Sequence, residues 1–266
     1  MINITSKNFR LNDIEGIIFD KDGTITDSNF YWGEIIKRRS QKITADFNLS
    51  KEDYFQLNKV MGLNIKTNKL LPEGPIAIKS RREVIENIIC HLETKNININ
   101  KKYVEDIFIN IHSKFSKEAY KFIVPISPAL QLLNILKDFK VKLFLITSDT
   151  KKNAEEAIKF LNINNYFDDV IGGDSGFGDK KSGASCKYIC KKLNLNNKKL
   201  ISIGDAPVDN EMAINGDLRA SILVESGQVE IKMLSKKQPI YKFEMSSVKN
   251  KISHKANLAN AETARL

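Results

Sequence analysis

Short apolar runs, each closed by a polar residue, alternate along this chain with stretches whose apolar positions fall at helical spacing. Residues 14–19 read as a short buried strand, in which Ile17, Ile18 and Phe19 lead into Asp20. From Phe30 to about His112 the period changes. Trp32, Ile35, Ile36 and Arg39 open one helix, Val84, Ile85, Ile88, Ile89 and Leu92 mark a second, and Val104, Ile107, Phe108, Ile111 and Phe115 mark a third. The breaker-rich run Leu71-Pro72-Glu73-Gly74-Pro75 is a turn before the second. This block carries no strand pattern and reads as a helical insert. After Pro125 a strand–helix rhythm returns. Pro128 opens a helix whose inner face is Leu130, Leu133 and Leu136. Strands are expected at 141–146, 169–173, 200–203 and 220–224, and helices at 152–161, at 182–193 and from 211. Residues 240–243 offer one more edge strand, and 249–266 read as frayed. Short apolar strands separated by helices predict a mostly parallel sheet covered on both faces.

Composition narrows the class. At 266 residues and 42% apolar, the chain can fill one large domain or a core domain plus a smaller one. No run approaches the roughly eighteen apolar residues of a membrane span. Residues 1–10 lack a basic-then-apolar leader pattern, so no export is expected. Three cysteines, Cys90, Cys186 and Cys190, form no paired framework and fit a reducing, cytoplasmic setting. Cys186 and Cys190 read as ordinary helix packing. The formal charge of +10 suits anionic partners, but the lysines are spread along the chain and no nucleic-acid recognition motif accompanies them. A small phosphorylated molecule is the expected partner; membrane and nucleic acid are not expected, and oligomeric state is left open.

The chemistry concentrates at the strand ends. The first strand closes on Asp20, Lys21, Asp22, Gly23 and Thr24. The strand at 141–146 ends in Thr147-Ser148-Asp149, and Gly178-Asp179-Lys180-Lys181-Ser182 precedes a helix. The strand at 200–203 runs into Gly204-Asp205-Ala206-Pro207-Val208-Asp209. In a parallel sheet such ends converge on one edge, where open α/β sheets bind their ligands. Two carboxylate pairs, a hydroxyl and an ammonium suit a phosphate with a divalent cation, and oxygen ligands suit magnesium.

These residues resemble the haloacid dehalogenase superfamily of phosphotransferases, in its phosphoglycolate phosphatase-like form, over about residues 14–227. Four motifs match in order. They are Asp20-x-Asp22-Gly23-Thr24, Thr147 after an apolar strand, Lys180 (or Lys181) before a helix, and Gly204-Asp205-x-x-x-Asp209. Lys181 stands where the family often has proline. The resemblance implies an α/β fold with a Rossmann-like core and a mostly parallel sheet at 1–24 and 125–230. It implies an inserted α-helical cap at 25–124, followed by a partly ordered C-terminal extension at 231–266. It also implies that Asp20 attacks phosphorus to give an aspartyl-phosphate, with Asp22 as acid and then base. Thr147 and Lys180 would neutralise the transferring group, and Mg2+ would be held by Asp20, Asp22 (through its backbone carbonyl), Asp205 and Asp209. An acid at Asp22 favours hydrolysis of a small phosphate ester, a sugar phosphate or a phosphoglycolate-like acid. A sugar phosphomutase and a catalytically silent interaction protein are the alternatives.

Blander readings exist for single features. Asp20-x-Asp22-Gly23 alone could open a calcium loop, but Ile25, Phe30 and Tyr31 occupy the stretch that should supply further oxygens. The glycines at 172, 173, 176 and 178 read as turn formers rather than a nucleotide loop. His91 and His112 read as packing or surface residues. Specificity is expected in the helical insert. There Asp27, Ser28, Tyr31 and Trp32 follow the nucleophile, and Arg38, Arg39, Arg81 and Arg82 could hold a second anionic group or simply be solvated.

Overall fold

The computed structural model of the chain describes residues 1–5, 9–78, 81–228, 240–242 and 252–254. It divides into two compact units, 1–26 with 125–266, and 27–124.

The first unit begins with strands β1 (Ile2–Thr5), β2 (Arg10–Ile14) and β3 (Gly16–Phe19). Every residue of β3 is buried, because it lies between two parallel neighbours at the centre of a sheet with both faces covered. The second unit contributes α1 (Ser28–Asp46), α2 (Lys51–Val60), β4 (Leu63–Asn64), β5 (Lys69–Leu70), α3 (Pro75–Ile78), α4 (Arg81–Glu93) and α5 (Lys101–Ser116). The first unit then resumes with α6 (Ser127–Asp138), β6 (Lys142–Ile146), α7 (Lys151–Phe160), β7 (Asp169–Ile171) and α8 (Ala184–Leu193). It ends with β8 (Leu200–Gly204), α9 (Pro207–Asn215), β9 (Ala220–Leu223), β10 (Ile240–Lys242) and β11 (Ile252–His254). Among the described residues no helix is long and apolar enough to cross a membrane.

The six strands in the order β10-β9-β8-β3-β6-β7 form one parallel sheet. Side chains alternate across it. Ile17 and Phe19 of β3 join Leu132, Leu133 and Leu136 of α6 and Ile158 of α7 on one face. Ile18 joins Phe144, Cys186 and Ile189 of α8 and Met212 of α9 on the other. The two cysteines of α8, Cys186 and Cys190, are buried and unpaired, so they pack rather than crosslink. This is an α/β Rossmann-like core. The helical unit packs around Ile36, Ile43, Leu57, Ile85, Ile88, Leu92, Val104 and Phe108, drawn from α1, α2, α4 and α5.

Four local expectations change. The insert is not wholly helical: β4 and β5 form a small antiparallel hairpin. An antiparallel sheet β11-β1-β2 accompanies the parallel one, so part of the stretch expected to fray pairs with β1; 255–266 lie outside the described residues, as does Phe243 of the expected edge strand. In α6 the buried face is Ala129, Leu132, Leu133 and Leu136, with Leu130 only partly covered. Helix α9 starts at Pro207, not near Glu211, since proline is suited to the first helical position and Asp209 closes the first turn.

Replacing Phe144, which is fully buried against α8 and α9, by Ala should cost about 3–5 kcal/mol of unfolding free energy. Urea denaturation checks this; a midpoint unchanged from wild type would contradict the packing.

Candidate active site

Three adjacent segments build a charged cluster at the carboxyl ends of the parallel strands. Asp20 follows β3, and its backbone N–H donates to the Ile203 carbonyl at 2.9 Å, tying it to β8. Asp205 follows β8 directly. Asp209 lies in the first turn of α9, where one of its oxygens accepts from the Ala206 N–H at 3.0 Å. Lys180 lies in the short turn before α8 and is buried. Its ammonium pairs with Asp20 and, at 2.6 Å, with Asp209. Lys181 instead points outward, 3.6 Å from Asp179. The chain thus brings Lys180, rather than its neighbour, to the acids.

Burial shapes the titration of this cluster. It pushes the Asp20 pKa up to about 7, against the opposing pull of Lys180. Asp205 is raised well above the usual carboxylate range, first by burial and then by the charge of Asp20. Burial works against the Lys180 ammonium, but Asp20 and Asp209 outweigh it and raise its pKa.

Oxygens of Asp20, Asp205 and Asp209 lie within 4.8 Å of one another, and all three residues are buried. Lys180 pairs with two of the three carboxylates, and among the described residues the third, Asp205, accepts from the Thr24 hydroxyl at 3.2 Å. This donor set fits a hard divalent cation, which would supply the missing positive charge. Close approach of backbone to Asp205 preserves the arrangement. A Cβ at Gly23, where φ is +86°, would lie 2.4 Å from an Asp205 oxygen, and one at Gly227 only 1.7 Å.

Asp22 is outside that trio. Its carboxylate accepts from the Thr26 hydroxyl at 3.1 Å and lies 3.1 Å from the Lys21 ammonium. Lys21 also pairs with Asp149 at 2.6 Å. Burial opposes the Asp149 charge, but Lys21, Asn153 and the Thr150 N–H outweigh it and hold its pKa low. Thr147 is buried at the end of β6 and accepts from the Asp149 N–H at 3.1 Å. The link from Lys21 to Asp149 was missed in the sequence. The available signal was a lysine set between two acids where a buried strand ends.

The expected specificity residues separate within the helical unit. Asp27 caps α1 by accepting from the Asn29 N–H at 2.8 Å. Tyr31 packs edge-on to Trp32 and Phe115 at 5.4 and 5.0 Å, so Trp32 belongs to the local core packing. Arg38 is engaged by Glu34 and Glu118, and Arg82 by Glu86. Arg39 is buried.

Residues 14–217 match the haloacid dehalogenase-like hydrolase family, so the chain belongs to that family of hydrolases. It is 26% identical to a phosphoglycolate phosphatase of Aquifex aeolicus over 200 residues, covering 73% of this chain and 78% of that one. It is 25% identical to a phosphorylated carbohydrates phosphatase of Thermotoga maritima over 202 residues, 75% of this chain and 80% of that one. A haloacid dehalogenase-like hydrolase structure from Streptococcus pneumoniae shares the fold, with a TM-score of 0.61 and 17% identity, covering 90% of this chain and 98% of that one.

Two outcomes follow from this geometry. Between about pH 4 and pH 7 the folded protein retains a proton at Asp20 that the unfolded chain has released, so this group's contribution to stability is lost as pH rises through that window. Added Mg2+ should therefore raise the thermal unfolding midpoint more at about pH 7.5 than at about pH 5, where protons already occupy the cluster. Equal shifts at both values would break this link. Gly227→Ala should displace Asp205 and weaken Mg2+ binding about tenfold with the circular dichroism spectrum retained. Unchanged binding would mean that the loop yields instead.

Proposed function

We propose that the protein hydrolyses a small phosphate monoester, a sugar phosphate or a phosphoglycolate-like acid, with Mg2+ as cofactor and an aspartyl-phosphate intermediate. The observation that carries this reading is the buried Asp20–Lys180–Asp209 grouping beside Asp205.

In the proposed reaction an Asp20 oxygen attacks phosphorus, the bond to the ester oxygen breaks, and Asp22 gives that oxygen a proton. Water then attacks the phosphorus and passes a proton to Asp22, the bond from phosphorus to the Asp20 oxygen breaks, and inorganic phosphate leaves, which restores both acids. Lys180 and the Thr147 hydroxyl neutralise the phosphoryl oxygens. Thr26 and Lys21 hold the Asp22 side chain apart from the trio, which suits a group that must exchange a proton rather than bind metal. Asp20, Asp205 and the backbone carbonyl of Asp22 would hold Mg2+, with Asp209 steadying Lys180. The bound ion would polarise the phosphoryl group as a Lewis acid. Names of the curated relatives, a phosphoglycolate phosphatase and a phosphorylated carbohydrates phosphatase, support the substrate class.

Phosphate release from a panel of phosphorylated sugars and acids, with and without chelator, tests the proposal. Turnover should require Mg2+, and Asp20→Asn should lower kcat at least about a thousandfold while keeping the thermal unfolding transition. Full activity in Asp20→Asn would remove Asp20 as nucleophile. A sugar phosphate that isomerises without releasing phosphate would point to a mutase, and an inert panel to an interaction protein.

A further inference from the structure

Two buried lysines stand at the carboxyl ends of the parallel strands, and each bridges two carboxylates. Lys180 pairs with Asp20 and Asp209. Lys21 lies 3.1 Å from Asp22 and 2.6 Å from Asp149, and its side chain is only 3% exposed. In each set one acid belongs to the proposed reaction and the other is fixed by backbone. Asp209 accepts from the Ala206 N–H at 3.0 Å. One Asp149 oxygen accepts from the Thr150 N–H at 2.7 Å and from the Asn153 side-chain amide at 2.8 Å, and the other accepts from Lys21.

A buried ammonium between acids adds little net stability, and an apolar side chain could fill its place. What it supplies is position, and Asp22 needs it. The Thr26 hydroxyl, 3.1 Å from Asp22, belongs with Lys21 to the same tight turn as Asp22 itself, closed by the N–H groups of Ile25 and Thr26 on the Lys21 carbonyl at 2.8 and 2.9 Å. Contacts inside one turn do not fix a carboxylate against the sheet. The second partner of Lys21 does, because Asp149 lies just past the end of β6, which flanks β3. Asp149 also reaches Thr147, whose hydroxyl oxygen accepts its N–H at 3.1 Å. A hydroxyl that accepts there keeps its own O–H for another acceptor.

We propose that Asp149 is a positioning residue for two groups at once: through Lys21 it sets the Asp22 carboxylate, and through its own N–H it sets the Thr147 hydroxyl. The proton donor then stands at a fixed spacing from the group that holds the phosphoryl oxygens. This deepens the phosphomonoesterase reading and rests on it. Asp149→Asn cuts the link to Lys21 and keeps the N–H on Thr147, so it should spare phosphate binding and impair proton delivery to the leaving oxygen.

The test uses leaving groups. An alkyl phosphate must be protonated as its oxygen departs, whereas p-nitrophenyl phosphate and acetyl phosphate release stable anions. In Asp149→Asn the ratio of kcat/KM for the best alkyl ester of the panel to that for either activated compound should fall about tenfold or more, through kcat rather than KM. A general loss of fold would lower both and leave the ratio alone. The double variant Lys21→Met/Asp149→Asn removes both buried charges together, so it should hold the wild-type thermal midpoint more closely than Lys21→Met does and still show the lowered ratio. An unchanged ratio in Asp149→Asn overturns the proposal, as does a wild-type ratio in the double variant. If the wild type releases phosphate from none of these compounds, the phosphomonoesterase reading fails and this proposal with it; an active wild type with an unchanged ratio removes this proposal alone.

Discussion

The ammonium of Lys180, enclosed with Asp20 and Asp209, is the constraint around which the rest of the core unit is arranged. Its side chain is 2% exposed, so hydration cannot stabilise it and the two carboxylates must. Such a pair adds little net stability, because desolvation consumes most of the Coulombic gain. What it does secure is position. One nitrogen ties the residue after β3 to the first turn of α9 and to the turn before α8. Losing any of the three partners would strand a buried charge.

That contact is possible because of the sheet order. β3 lies between β6 and β8, and all three run the same way, so their carboxyl ends emerge side by side. Segments far apart in sequence thereby deliver Asp20, Thr147 and Asp205 to one edge, as open parallel sheets do. Backbone shape then refines the cluster. Gly23 and Gly227 crowd Asp205 so closely that a methyl group at either place would collide with its carboxylate. The acids are kept buried and near one another; burial first, and then the neighbouring carboxylates, raise the pKa of Asp20 and of Asp205.

Much of this was legible in the sequence where local pattern decides the outcome. Strands buried on both faces must be continuous apolar runs, so β3, β6, β8 and β9 stood out, and their polar terminators marked the site residues. What escaped depends on distance or brevity. β1 and β11 pair from opposite ends of the chain, and their alternating Asn, Thr and Ser residues leave no apolar run to notice. The two-residue strands β4 and β5 are too short to show a period. The true start of α9 was hidden because Asp209 and Asn210 are polar yet buried, Asp209 in its pairing with Lys180, so the first turn shows no apolar stripe. The ion pair of Lys21 with Asp149 spans 128 positions, and no periodicity links two charges at that separation.

Lys180 and Arg39 show why buried cations should be weighed by partner rather than by exposure. Lys180 meets two carboxylates of its own unit, and a phosphoryl group could be held there only with further positive charge, which the three-acid cluster is suited to bind. Arg39 meets a ring and, among the described residues, no carboxylate. The first arrangement fixes a position through charge, because one ammonium holds two carboxylates from separate segments. The second offsets part of a guanidinium's lost hydration through a ring face.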